Sequence, residues 1–146
     1  MNFGLQMNLM LKVMHGGIKE VINMGYTRYW ERTDKPITQE FVDEVNRIIA
    51  KASEMGITIC GWDGFGEPEV NLDGIRFNGK APRLDYEAFV ITNEPTIFDF
   101  CKTAEKPYDY AVKEVLNVAE NMGFVKNVSD DGEVEVVTDK EYLMEE

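Results

Sequence analysis

The apolar residues between Phe41 and Met55 recur at steps of three and four positions, which is the spacing of one face of an α-helix. Thr38 precedes them and is a good helix N-cap, because its hydroxyl can accept a backbone hydrogen bond from the first turn. Gly56 follows them, and glycine is the usual left-handed residue after a helix C-terminus. The pattern predicts a helix over residues 38–55.

A second segment, residues 106–122, has the same character. Pro107 suits the first turn of a helix, where its missing N–H is not needed, and Gly123 follows the last apolar residue. Residues 18–24 are also followed by a glycine, Gly25, and predict a third helix C-terminus.

Short apolar runs bounded by turn residues predict strands at residues 57–60, 75–77, 87–92, 124–128 and 133–137. The last two flank Asp130-Asp131-Gly132, which predicts a hairpin. Helices followed by hairpins, without regular βαβ alternation, favour an α+β fold. We expect a mostly antiparallel sheet of at least four strands with two or three helices packed on it.

Length and composition indicate one domain over residues 1–146, with residues 1–30 as a candidate N-terminal extension and residues 139–146 as a charged, frayed tail. No apolar run has the length of a membrane span, and no secretion signal is visible, so we expect a cytoplasmic protein that does not enter a membrane. Cys60 and Cys101 are the two cysteines, and we expect both to be reduced and buried. No cofactor and no metal is predicted.

The formal net charge is −12, and residues 129–146 carry eight acidic residues against Lys140. Such a chain is repelled by phosphate backbones, so nucleic acid is disfavoured as a partner. A protein partner is favoured, although a high charge also serves solubility alone. The oligomeric state is left open.

Candidate chemistry is concentrated in residues 98–109. A helix N-terminus can hold an anion through its free N–H groups, and nearby lysines would strengthen that site. The candidate ligand-binding side chains of this segment and its neighbourhood are Lys102, Lys106, Tyr108, Asp109, Tyr86, Glu87 and Asp63. The competing interpretation places Phe100 and Cys101 in the core, with the lysines on solvated faces. A third, a reactive Cys101, lacks a nearby base, because the sole histidine, His15, is distant in sequence.

Two other segments carry weaker signals. The loop between Gly61 and Asp73 has acidic side chains at odd positions, which suits a hard cation, but solvated acidic loops are more common. We expect Trp62 in this loop to be a core anchor. Residues 26–32 alternate aromatics with arginines, which favours a strand with one buried face over a nucleotide-stacking or interface surface.

Three motifs carry a family resemblance: GWDG at 61–64, FNG at 77–79 and FCKTAEKPYD at 100–109. The chain resembles a group of small phage and prophage proteins that share these motifs and a late SSDG-type turn, here at 129–132. Tyr86 stands where that group has a histidine, and Glu105 where it has an arginine, which weakens an acid–base role and an anion site. The resemblance implies a phage origin rather than a particular reaction.

The sequence therefore favours a phage-like accessory protein that binds a host or phage macromolecule and inhibits, for example, a host defence or regulatory protein. The alternative is a small enzyme, or a nucleotide- or anion-binding module, that uses residues 101–109 with Tyr86 and Glu87 from a neighbouring strand. A third possibility is a structural or dimerising domain. Catalysis is less favoured than binding.

Overall fold

The computed structural model describes residues 25–144, which form seven strands and three helices. The strands are β1 (Thr27–Arg32), β2 (Ile59–Cys60), β3 (Glu69–Asn71), β4 (Gly74–Gly79), β5 (Phe89–Thr92), β6 (Thr96–Lys102) and β7 (Val125–Asp130). The helices are α1 (Gln39–Glu54), α2 (Asp109–Asn121) and α3 (Asp139–Met144). The predicted α+β class is confirmed.

Two antiparallel sheets form the framework. The first has the order β6-β1-β7, so β1 is its central strand. In the second, β4 pairs with β2, β3 and β5, and β3 and β5 pair with the same residues of β4 from its two edges. The rings of Trp30 in β1 and Phe77 in β4 lie 5.3 and 5.1 Å from the ring of Phe89 in β5, so the two sheets share one core.

Both long helices end as their sequences predict. Gly56 and Gly123 have φ angles of +93° and +87°, in the left-handed region where a Cβ atom is costly. The next residue in each case, Ile57 or Phe124, donates its N–H to a carbonyl in the last helical turn at 2.8 Å. The apolar faces of α1 and α2 pack on each other, and the Phe41 and Phe124 rings lie 4.6 Å apart.

The N-termini of the two helices differ from one another. The Thr38 hydroxyl accepts the N–H of Phe41 at 3.3 Å, so Thr38 is the N-cap of α1 as predicted. Helix α2 begins at Asp109, later than the predicted start at residue 106, and its N-cap residue, Tyr108, makes no side-chain capping bond.

Several predictions about the strands and the tail differ from the structure. Residues 133–137 form no strand, so the predicted hairpin is wrong: β7 pairs with β1 instead. The tail expected to be frayed contains α3, where Thr138 and Glu141 exchange side-chain to backbone bonds as a capping box. The helix end predicted at residues 18–24 lies outside the described residues. Strands β3 and β6 were not predicted.

Candidate functional site

The N-terminus of α2, the candidate anion site, holds the protein's own carboxylate. Asp109 is buried and accepts two hydrogen bonds from Arg28, from Nε at 2.8 Å and from Nη2 at 2.7 Å. The Thr103 hydroxyl donates a third at 2.7 Å. Arg28 reaches Asp109 because β1 alternates, with Arg28, Trp30 and Arg32 buried and Tyr29 and Glu31 partly exposed. The helix dipole and Arg28 thus already hold one negative charge.

Three other predicted residues lie beside this ion pair and are joined to one another. The Tyr108 hydroxyl donates to the Glu87 carbonyl, and the Glu87 carboxylate accepts the backbone N–H of Lys102 at 2.7 Å. Burial raises the pKa of Tyr108 above its ordinary value, which holds the hydroxyl protonated. These contacts tie β6 to the segment that precedes β5.

The remaining predicted site residues make their polar contacts elsewhere. Lys106 donates through Nζ to the Arg83 carbonyl at 2.6 Å and lies 5.0 Å from the centre of the Tyr142 ring in α3. The backbone of Tyr86 is held by the amide of Asn78, and its side chain is exposed. Asp63 is exposed and accepts the Phe65 N–H within its own loop. Polar bonds therefore join only part of the predicted set.

Both cysteines are buried, as expected, and neither is in a disulfide. The Cys101 sulfur lies 3.5 and 3.7 Å from the carbonyl oxygens of Glu87 and Ala88. Burial is the main cause that raises the pKa of Cys101 and also that of Cys60. A raised pKa lowers the thiolate fraction, so the local environment disfavours nucleophilic chemistry at either sulfur.

The predicted loop between Gly61 and Asp73 contains β3, and two large side chains of its first part face solvent. Trp62 and Phe65 are 58% and 63% exposed, so the expectation that Trp62 anchors the core is wrong. Over residues 25–144, no three His, Cys, Asp or Glu side chains come together in a way that could hold a metal ion.

The sequence did not predict a cluster of aromatic side chains on the outer, solvent-facing side of the first sheet. Tyr29 in β1 pairs with Phe100 in β6, and its ring lies 5.9 Å from that of Phe98. The Phe98 and Phe100 rings are 5.7 Å apart, and the two side chains are 60% and 42% exposed. We call Tyr29, Phe98 and Phe100 the aromatic face. Phe100 is therefore not a core residue, whereas Cys101, which points to the other side of β6, is.

A cavity of about 400 Å³ adjoins the aromatic face. It lies where each strand next to β1 has a β-bulge, that is, one residue more than β1 has over the same stretch. In β6 the two residues Ile97 and Phe98 lie opposite the single residue between Trp30 and Arg32. In β7 the two residues 127 and 128 lie opposite the single residue between Tyr29 and Glu31. We call it the bulge cavity. Its lining residues are Tyr29, Trp30, Glu31, Ile97, Phe98, Asn127 and Ser129.

A larger cavity, of about 550 Å³, lies between residues 80–84 and α3. Its lining is mainly apolar, with Lys80, Lys140 and Asp139 among the polar groups. Burial raises the pKa of Asp139, while its bonds to Thr58 and the charge of Lys80 oppose that shift. Charges of both signs line this cavity, and they select no single class of ligand.

No protein-family model, curated protein or solved structure matches this chain. None of the helices in residues 25–144 combines the length and apolar character that crossing a membrane requires.

Proposed function

We propose that this protein acts without catalysis, by binding another protein through the aromatic face of its first sheet. The observation that carries this function is the exposure of Phe98 and Phe100, at 60% and 42%, beside Tyr29 and the almost fully exposed Ile97. Aromatic side chains dominate the buried centres of protein interfaces, because each removes a large apolar area from water. Contiguous exposed apolar surface of this kind marks interaction sites on soluble proteins.

The charge distribution favours a protein partner over a nucleic acid. The net charge of −12 repels phosphate backbones, and Glu31, which lines the cavity beside Tyr29, is partly exposed. A partner with a basic surface would be attracted to this region and steered towards it. Together with the resemblance to phage proteins, this favours an accessory protein that acts in a host cytoplasm and occupies a defence or regulatory protein there.

The test is capture of partners from a bacterial lysate by the immobilised full-length protein, followed by mass spectrometry. The variant Phe98→Ser/Phe100→Ser should lose the proteins that the wild type captures. The matched control, Trp62→Ser/Phe65→Ser, removes two side chains of comparable exposure from a loop next to the second sheet and should retain them.

Two results would contradict the proposed function. One is equal capture by the wild type and the Phe98→Ser/Phe100→Ser variant. The other is loss of capture by the control variant alone, which would place the binding surface in the loop around Trp62. Circular dichroism of both variants checks that each is folded.

A further inference from the structure

The bulge cavity has the composition of a binding site for a cation. Of its seven lining residues, Glu31 is the only one with a formally charged side chain, and Tyr29 and Phe98 are aromatic. A carboxylate attracts a cation directly, and the negative faces of aromatic rings attract it through their quadrupoles. The ring centres of Tyr29 and Phe98 are 5.9 Å apart, so the two aromatic lining residues are neighbours.

The carboxylate of Glu31 is held in place by a neighbouring strand. Asn127 has a φ angle of +53°, a left-handed conformation that asparagine tolerates better than most residues, and its Nδ2 donates to Oε2 of Glu31. Lys126 pairs with Glu31 in the strand register, but its side chain is not among those that line the cavity. The charge that faces the cavity is therefore negative.

We propose that the bulge cavity receives one cationic side chain, an arginine or a lysine, from the partner protein that contacts the aromatic face. The site deepens the proposed function, because it specifies the chemistry of that partner: a basic residue flanked by apolar ones. A cavity of about 400 Å³ falls at the lower end of the range for small-ligand pockets, which suits a single side chain. A second copy of this chain is the less favoured occupant, because two molecules of net charge −12 repel each other.

The first experiment titrates the full-length protein with the peptide acetyl-Gly-Ser-Arg-Ser-Gly-amide and follows backbone amide shifts by NMR. The shifts should be saturable and centred on residues 29–31, 97–98 and 127–129. Replacing arginine by citrulline, which keeps the shape and removes the charge, should weaken binding about tenfold. Equal binding of the two peptides, or shifts centred elsewhere, would overturn the site.

Two variants assign the binding to named side chains. Glu31→Gln keeps an acceptor for Asn127 and should weaken the arginine peptide about tenfold. Phe98→Leu keeps an apolar side chain, removes the ring, and should weaken it about threefold. The control Glu40→Gln removes an exposed charge of α1, outside the lining, and should change affinity less than twofold. Unchanged affinity of Glu31→Gln for the arginine peptide would overturn the site. Self-association of the wild type that is lost in Glu31→Gln would also overturn it, because the occupant would then be a second copy of this chain.

Failure of this site and failure of the proposed function are distinguishable. The cation site would be rejected, and the aromatic face kept as the interface, by three results together. Phe98→Ser/Phe100→Ser would lose partner capture, Glu31→Gln would keep it in full, and the arginine and citrulline peptides would bind equally. Peptide binding that depends on Glu31, with capture unaffected by Phe98→Ser/Phe100→Ser, would retain the cation site and reject the aromatic face as the protein interface.

Discussion

The guanidinium of Arg28 and the carboxylate of Asp109 form a buried, two-point ion pair, with Nε–Oδ1 and Nη2–Oδ2 distances of 2.8 and 2.7 Å. It links the central strand β1 to the first residue of α2, across 81 positions of the sequence. Asp109 lies in the first turn of α2, where the helix dipole also favours a negative charge. The pair therefore fixes the position of the last long helix against the sheet.

The first prediction is that Asp109→Ala lowers the free energy of unfolding by about 3–5 kcal/mol, measured by urea denaturation. The reason is the charge that it leaves behind, since Arg28 would remain buried without its main partner. Replacing both residues by apolar ones, Arg28→Met with Asp109→Leu, should recover most of the loss.

Asp130 provides the matched control for that measurement. It accepts one bond from Nη1 of Arg28 at 3.2 Å and one from the backbone N–H of Gly132 at 2.9 Å, and its side chain is 40% exposed. Asp130→Ala should therefore cost less than about 1 kcal/mol. Similar losses in Asp109→Ala and Asp130→Ala would show that the buried pair contributes no more than a surface one.

The second prediction concerns the thiols. In the native protein both should react with a thiol reagent roughly 100-fold or more slowly than in guanidinium chloride, because each is buried and has a raised pKa. Cys101 is completely buried and Cys60 slightly less so, hence Cys60 should be labelled first. The variant Cys60→Ser assigns the two phases. Rapid labelling of Cys101 in the folded protein would revive a nucleophilic role for it.

The third prediction is a loss of stability at alkaline pH. Burial raises the pKa of Tyr26 and Tyr108 above the ordinary value of 10.0, so the unfolded chain loses these protons above pH 10 while the folded chain keeps them. The folded state then binds more protons, and the free energy of unfolding should fall as pH rises, by about 1.4 kcal/mol per pH unit for each tyrosine.

Urea denaturation between pH 9 and pH 11 measures that slope. Tyr108→Phe should be less stable at every pH, because the Glu87 carbonyl loses a donor, but its slope above pH 10 should be smaller by the contribution of one tyrosine. Identical slopes in the wild type and the variant would contradict the assignment to Tyr108.

The two long helices and most strands could be predicted because their signals are local. The apolar spacing of α1, the Thr38 cap and the glycines after α1 and α2 act within a few residues of each element. Strand β6 could not be found in this way. Its residues, from Thr96 to Lys102, place two aromatic side chains on an exposed face. The contact that these side chains make there, with Tyr29 of β1, is known only from the strand pairing.

The chemistry around α2 was predicted only in part, for a related reason. The residues 102–109 do surround a helix N-terminus, as expected, but the sequence could not indicate that Arg28, so distant in the chain, already neutralises Asp109 there. An aspartate at the start of a helix gives the same local sequence pattern whether its side chain faces solvent or pairs with a buried guanidinium. Only the pairing of β1 with β6 and β7 decides between the two.

The acidic stretch that begins at Asp130, the last residue of β7, contains acidic side chains that bond within the fold and others that are exposed. Asp131 is buried and accepts the Thr27 N–H at 3.0 Å, and Asp130 is bonded to Arg28, so both maintain the fold. Glu133 and Glu135 are exposed. They follow β7, whose Ser129 pairs with Tyr29 of the aromatic face, and we expect their exposed charges to attract a basic partner.

The last prediction is that Glu133→Gln/Glu135→Gln slows association with a captured partner about two- to fivefold at low salt, because surface charges steer the encounter. At 0.5 M salt the difference should vanish, since the Debye length then falls to about 4 Å. Stopped-flow fluorescence or biolayer interferometry across this salt range measures the rates. Glu40→Gln/Glu54→Gln, on the exposed side of α1, makes the same change in net charge and should have the smaller effect. Equal slowing by both pairs would attribute the effect to total charge rather than to the acids that follow β7.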